Sequence, residues 1–150
     1  MIICLETSTA VCSVALCDSK GVVALKESDE NKSHASQLTV FIRDLLTQAG
    51  IKPSSLEAVV VSKGPGSFTG LRIGVSAAKG IAYAASVPLI GIETTRSMFY
   101  GITEDIKHNY GLDSTSLYVP MLDARRMEVY YSLLDSEGRA VKDISAEIIH

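Results

Sequence analysis

Apolar and polar positions alternate along the chain in a readable order. Residues 2–5 form a continuous apolar run that ends at Glu6. Residues 11–17 and 22–26 are also largely apolar and are separated by the turn Asp18-Ser19-Lys20-Gly21. Short runs bounded by such turns predict three consecutive antiparallel strands. Leu38, Phe41, Ile42, Leu45, Leu46 and Ala49 then recur at three- and four-residue spacing, the stripe of an amphipathic helix. Ser33 is placed to cap its start, and Gly50 suits the position just past its end. Glu57 to Ser62 carries Ala-Val-Val-Val, a buried strand, and a glycine-rich turn leads into a helix over 68–86. Pro88 starts a strand over 89–92, and a third helix is predicted over 94–108.

The predicted order β-β-β-α-β-α-β-α sets a meander before βαβ crossovers. It describes a mixed sheet of the ribonuclease-H-like (actin-like ATPase, ASKHA) arrangement, not the all-parallel doubly wound pattern, which begins β-α-β. An internal repeat extends this picture. At a constant offset of 117, Glu6 falls on Asp123, 11–16 on 128–133, and Asp18-Ser-Lys-Gly21 on Asp135-Ser-Glu-Gly138. An acid closing an apolar strand, a short turn and a strand ending in Asp-Ser-x-Gly thus occur twice. The expectation is a ribonuclease-H-like domain over 1–111 and the opening strands of a second, truncated copy over 112–150.

Composition narrows the function classes. The chain has 150 residues, 47% hydrophobic and 21% charged, which excludes disorder, collagen and coiled coil. The formal net charge is −3, so no global field holds nucleic acid, and any such role runs through a local patch or a partner. The longest apolar stretch, Ile81 to Ile92, is broken by Ser86 and Pro88 and falls short of the roughly 20 residues of a membrane span. No basic residue precedes Met1–Leu5, so a signal peptide is not expected. Cys4, Cys12 and Cys17 lack C-x-x-C spacing and read as reduced core thiols of a cytoplasmic protein.

Three segments are candidates for chemistry. Glu6-Thr7-Ser8-Thr9 ends a strand in a carboxylate followed by hydroxyls. Small side chains and donors let backbone approach phosphates, and the same residues equally suit an ordinary polar hairpin. Lys63 to Gly74 joins a strand to a helix through four glycines, the setting of a phosphate-binding helix N-terminus. It is neither a P-loop nor G-x-G-x-x-G, because no Lys-Ser/Thr follows and Thr69 holds the third glycine position. Glu93, closing the next strand, leaves a dinucleotide site open, against which the leading meander argues.

The helix after that turn carries Gly66, Gly70, Gly74, Ala78 and Ala82 every four residues. Glycine costs about 1 kcal/mol inside a helix, so the stripe implies close approach of another backbone: its own sheet on one face, a further helix or subunit on another. Ser76-Ala-Ala-Lys79 matches S-x-x-K but sits mid-helix without S-D-N or K-T-G and is set aside. His34, His108 and His150 show no metal-pair spacing; His34 opens the first helix as a surface or capping residue.

The run Gly64-Pro-Gly-Ser-Phe-Thr-Gly-Leu-Arg-Ile-Gly74, with Thr7-Ser8-Thr9, the His34 helix, Asp123-Ala-Arg125 and Glu128-Val-Tyr130, resembles the TsaB (YeaZ) family. That family is the partner subunit in bacterial tRNA threonylcarbamoyladenosine (t6A) synthesis, and its members usually continue through a complete second domain. The resemblance implies a non-catalytic scaffold that binds a TsaD-like catalytic subunit together with a TsaE-like ATPase. It implies contact with tRNA only through that complex, which modifies adenosine 37 in tRNAs reading ANN codons, and a homodimer when alone. The implied docking surface is 34–49 with 68–86, naming Leu38, Ile42, Gly70, Arg72, Gly74, Ala78 and Lys79. TsaD-like proteins carry H-x-x-x-H where this sequence has Thr94 and Met98, which cannot replace histidine at iron or zinc, so neither metal nor cofactor is implied. Glu6 stands where aspartate is usual, making Glu6 to Thr9 a vestigial phosphate hairpin. The enzyme alternative is an M22-type metallopeptidase or a sugar-kinase-like ATPase.

Overall fold

Strand β1 (Ile2–Glu6) pairs antiparallel with β2 (Cys12–Asp18), and β2 pairs antiparallel with β3 (Gly21–Ser28). On its other side β1 lies parallel to β4 (Ala58–Gly64), and β5 (Leu89–Glu93) completes a mixed five-stranded sheet in the order β3-β2-β1-β4-β5. The structure, a computed structural model, describes residues 1–28, 34–102 and 104–149. Ser33, the expected cap of the first helix, lies outside the described residues.

Two helices make the core. Helix α1 (His34–Gln48) ends at Gly50, whose φ of +65° turns the chain so that Ile51 N–H donates to Leu46 O at 2.9 Å. Helix α2 (Phe68–Ala85) starts at Ser67, whose Oγ accepts from Gly70 N–H at 3.2 Å. Strand alternation sends Ile3, Leu5, Cys12, Val14, Leu16, Val59 and Val61 to one face, where they bury against Leu38, Leu45, Leu46, Ala78 and Ala82. Ile2, Cys4 and Glu6 point to the opposite face, beside Ser13, Ala15 and Cys17.

That alternation separates the cysteines: Cys12 is in the core, whereas Cys4 and Cys17 meet on the other face. Burial, then the Cys17 thiol beside it, pushes the Cys4 thiol up to about 12, and burial raises Cys12 as well. The thiolate is the reactive form. Iodoacetamide at about pH 8, near the ordinary cysteine range, is therefore expected to spare Cys4 and Cys12 in the native protein and to modify both in denaturant. Equal labelling rates by mass spectrometry in the two conditions would contradict this burial.

The chain forms two compact units, Met1–Ile92 and Glu93–His150. The division lies upstream of residue 112, the expected start of the second copy. In the second unit α3 (Thr94–Tyr100) and α4 (Glu104–Asn109) precede a meander of β6 (Met121–Arg125), β7 (Glu128–Leu134) and β8 (Ala140–Ile148). The single helix expected over 94–108 is thus two. Gly101 closes α3 by donating to Ser97 O and Met98 O, and glycine is a poor residue for carrying a helix onward. Phe99 packs edge-on against Tyr118, with Leu134 beside them, so α3 belongs with the strands that follow it.

The expected repeat has a counterpart in backbone detail. Glu6 Oε1 accepts from Ser8 N–H at 2.6 Å, and Asp123 Oδ1 accepts from Arg125 N–H at 2.7 Å. Asp18 Oδ1 accepts from Lys20 N–H at 2.7 Å, and Asp135 Oδ1 from Glu137 N–H at 2.9 Å. Each pair lies at the offset seen in the sequence.

Candidate functional site: the hairpin, the glycine face and the helix groove

The turn between β1 and β2 sits directly on the start of α2. Thr7 Oγ1 donates to Gly70 O at 2.8 Å, and Ser67 N–H donates to Ser8 O at 2.7 Å. A Cβ placed on Gly66, Gly70 or Gly74 would come within 3.0 Å of Ser8 O, Thr7 O or Thr7 Oγ1 respectively. The backbone that the glycine stripe admits is therefore the chain's own hairpin. Thr7 and Ser8 are buried by it, and Ser8 Oγ has no protein hydrogen-bond partner.

Glu6 closes β1 with both carboxylate oxygens engaged. Oε1 holds the Ser8 amide, and Oε2 accepts from Ser62 Oγ on the parallel neighbour β4. The register Cys4↔Val60 carries forward to place Ser62 beside Glu6. Each carboxylate oxygen thus accepts from a neighbouring protein donor, and the carboxylate braces the turn. Thr9, at the tip, is exposed.

The expected docking residues divide. Leu38, Gly70, Gly74 and Ala78 are buried within Met1–Ile92, Gly70 and Gly74 beneath the hairpin and Leu38 and Ala78 in the sheet–helix core. They are corrected from partner contacts to internal ones, because Leu38 and Ala78 have no accessible surface and Gly70 and Gly74 are covered by Thr7. Ile42, only 9% exposed, is chiefly a core residue, although its edge reaches the surface between α1 and α2. Arg72 and Lys79 are exposed.

What the surface does offer is a groove of about 560 Å3 between α1 and α2. It is lined by Thr39, Ile42, Arg43 and Leu46 on one side and by Ala77, Gly80 and Ile81 on the other. Its two walls fall within 34–49 and 68–86, the helices expected to dock, and of the residues singled out there only Ile42 lines it. In the second unit Thr94 is buried and its Oγ1 has no protein partner, while Met98 is 41% exposed. Among the described residues no three His, Cys, Asp or Glu side chains gather into a metal-binding group. None of the described helices is long and apolar enough to cross a membrane.

A mixed α/β sheet whose first turn seats on a glycine-faced helix is the frame on which likeness to known proteins can be judged. The family described as "TsaD: tRNA N6-adenosine threonylcarbamoyltransferase" matches residues 22–150, and the chain belongs to that family. Within it the likeness runs to the TsaB (YeaZ) members. The tRNA threonylcarbamoyladenosine biosynthesis protein TsaB of Escherichia coli (strain K12) is 33% identical over 131 residues, covering 87% of this chain and 53% of that protein. The TsaB of Bacillus subtilis (strain 168) is 32% identical over 143 residues, covering 95% and 58%. The solved structure of YeaZ from Pseudomonas aeruginosa superposes with a TM-score of 0.77 at 27% identity, covering 99% of this chain and 66% of that one. The chain spans about half the length of the curated relatives it matches.

Proposed function

We propose that this chain is a non-catalytic scaffold subunit of the complex that makes N6-threonylcarbamoyladenosine at position 37 of tRNA. In this reading it binds and supports a TsaD-like catalytic subunit, works beside a TsaE-like ATPase in the cytoplasm, and forms a homodimer when alone. The observation that carries the reading is Glu6, whose two oxygens are both occupied by Ser8 and Ser62. The apolar groove between α1 and α2 supports docking of the partner there. The strand order β3-β2-β1-β4-β5 supports a ribonuclease-H-like fold, and the paired acid–amide bonds at a constant offset support a second copy of its opening strands over 112–150.

Reconstitution tests this. Mixed with a TsaD-like and a TsaE-like protein, the chain is expected to be required for t6A formation on tRNA, read by nucleoside mass spectrometry. Glu6→Gln is expected to leave the rate within about tenfold, or 1.4 kcal/mol of barrier, since an amide can still accept from Ser8 and donate to Ser62. A larger loss, ATP turnover by the isolated chain, or peptide hydrolysis by it would overturn the non-catalytic reading.

A further inference from the structure

Helix α2 has a third face that neither the core nor the groove uses. At 100° per residue, Gly70, Gly74, Ala78 and Ala82 form the buried side, and Ala77, Gly80 and Ile81 line the groove. Phe68, Arg72, Lys79 and Tyr83 fall within about 60° of one another on the remaining side. Phe68 is 73% exposed and Tyr83 is 89% exposed, values at which an aromatic ring gains little from its own fold. The Arg72 guanidinium lies over the Phe68 ring, 5.2 Å from its centroid. Lys79 is exposed, and among the described residues neither cation is in an ion pair. The whole helix carries two cations and no acid, on a chain whose net charge is −3.

We propose that the Phe68–Arg72–Lys79–Tyr83 stripe of α2 binds single-stranded RNA, stacking unpaired bases on its two rings and pairing backbone phosphates with its two cations. The proposal rests on the reading of the chain as part of a tRNA-modifying complex, where an unpaired loop presents such a strand. Aromatic rings interleaved with cations suit any base, because every base has a π face, and a guanidinium held over one ring sets a cation beside the stack. The rings stand about 22 Å apart along the axis, so a strand crossing both must pass Arg72 and Lys79. A helix without acids raises no repulsion against that strand.

The test uses the assembled complex of this chain with its TsaD-like partner and a fluorescent tRNA anticodon stem-loop. Phe68→Ala and Tyr83→Ala are each expected to weaken binding by roughly 5- to 150-fold, and Tyr83→Phe to retain it. The R72Q/K79Q pair is expected to make the dependence of log K on log salt shallower by about 1.4, two single-strand phosphates. Co-elution with the partner is expected to stay intact in all four. Unchanged RNA affinity in the alanine variants overturns the proposal, as does loss of partner co-elution with RNA affinity retained, which would assign the stripe to a protein contact. A wild-type complex that modifies tRNA while these variants bind normally removes the stripe alone. A wild-type complex that neither binds nor modifies tRNA removes the stripe and the functional reading together.

Discussion

Gly70→Ala is expected to lower the melting temperature by roughly 10 °C. Its new methyl would lie within 3.0 Å of Thr7 O, a backbone atom that no rotamer change can move. Thr7 is pinned to the same place by its own hydroxyl, which donates to Gly70 O at 2.8 Å. Relief requires lifting α2 from the β1–β2 turn, which also strains the Ser67–Ser8 bond of 2.7 Å. Overpacking costs about 3 kcal/mol here, and a strained buried hydrogen bond adds about 1. In a chain of this size each kcal/mol moves the midpoint by about 2–4 °C. Gly80→Ala is the control on the same helix: its Cβ would meet nothing within 4 Å, and removing an interior glycine stabilises by about 0.5–1 kcal/mol. Calorimetry showing Gly70→Ala within about 2 °C of wild type would refute this account of the stripe.

Gly80→Arg is expected to cut association with a TsaD-like partner by about 100-fold while leaving the protein at least as stable as wild type. Gly80 lines the α1–α2 groove, and space is open where its Cβ would stand. The Cβ of the new side chain therefore meets nothing within its own chain. Across a docked surface it would be a cation pressed into apolar lining, and a charge desolvated without a partner costs several kcal/mol, of which about 2.7 suffices for that factor. Sedimentation velocity and pull-down read the association, and a melting curve reads the fold. A folded variant that associates normally would move the docking surface elsewhere. Gly74→Leu could not make this distinction, because its side chain would strike Thr7 under the hairpin.

Local patterns were legible in the sequence, and long-range contacts were not. The opening strands, α1 and α2 followed from runs and stripes whose periods are set by their own backbone. The acid–amide turns at a constant offset were legible because such turns are local too. The helix over 94–108 was overextended because one glycine, Gly101, weighs little against an otherwise helical stretch. The glycine stripe was read as a close approach to its own sheet on one face, but the turn that Gly66, Gly70 and Gly74 meet was not identified. Its partner, Thr7-Ser8, lies some 60 residues earlier in the chain, and no spacing rule joins the two. Ser62 was missed for the same reason, although pairing β1 with β4 in parallel would have set it beside Glu6. Nothing in the spacing singled out Phe68 and Tyr83; their exposure does.

The carboxylate at the end of β1 also bears on how such proteins diverge. Its first task is to fasten a turn by holding the amide two residues on, a task Asp123 performs in its own hairpin. An ancestral enzyme could lose its chemistry and still be selected to keep the acid, since discarding it would loosen the architecture. The presence of that acid in a newly read genome is thus poor grounds for assigning turnover. A second letter, one strand away, belongs to the same fastening: the hydroxyl of Ser62 holds the other oxygen of the acid, and an aliphatic residue there would remove that hold.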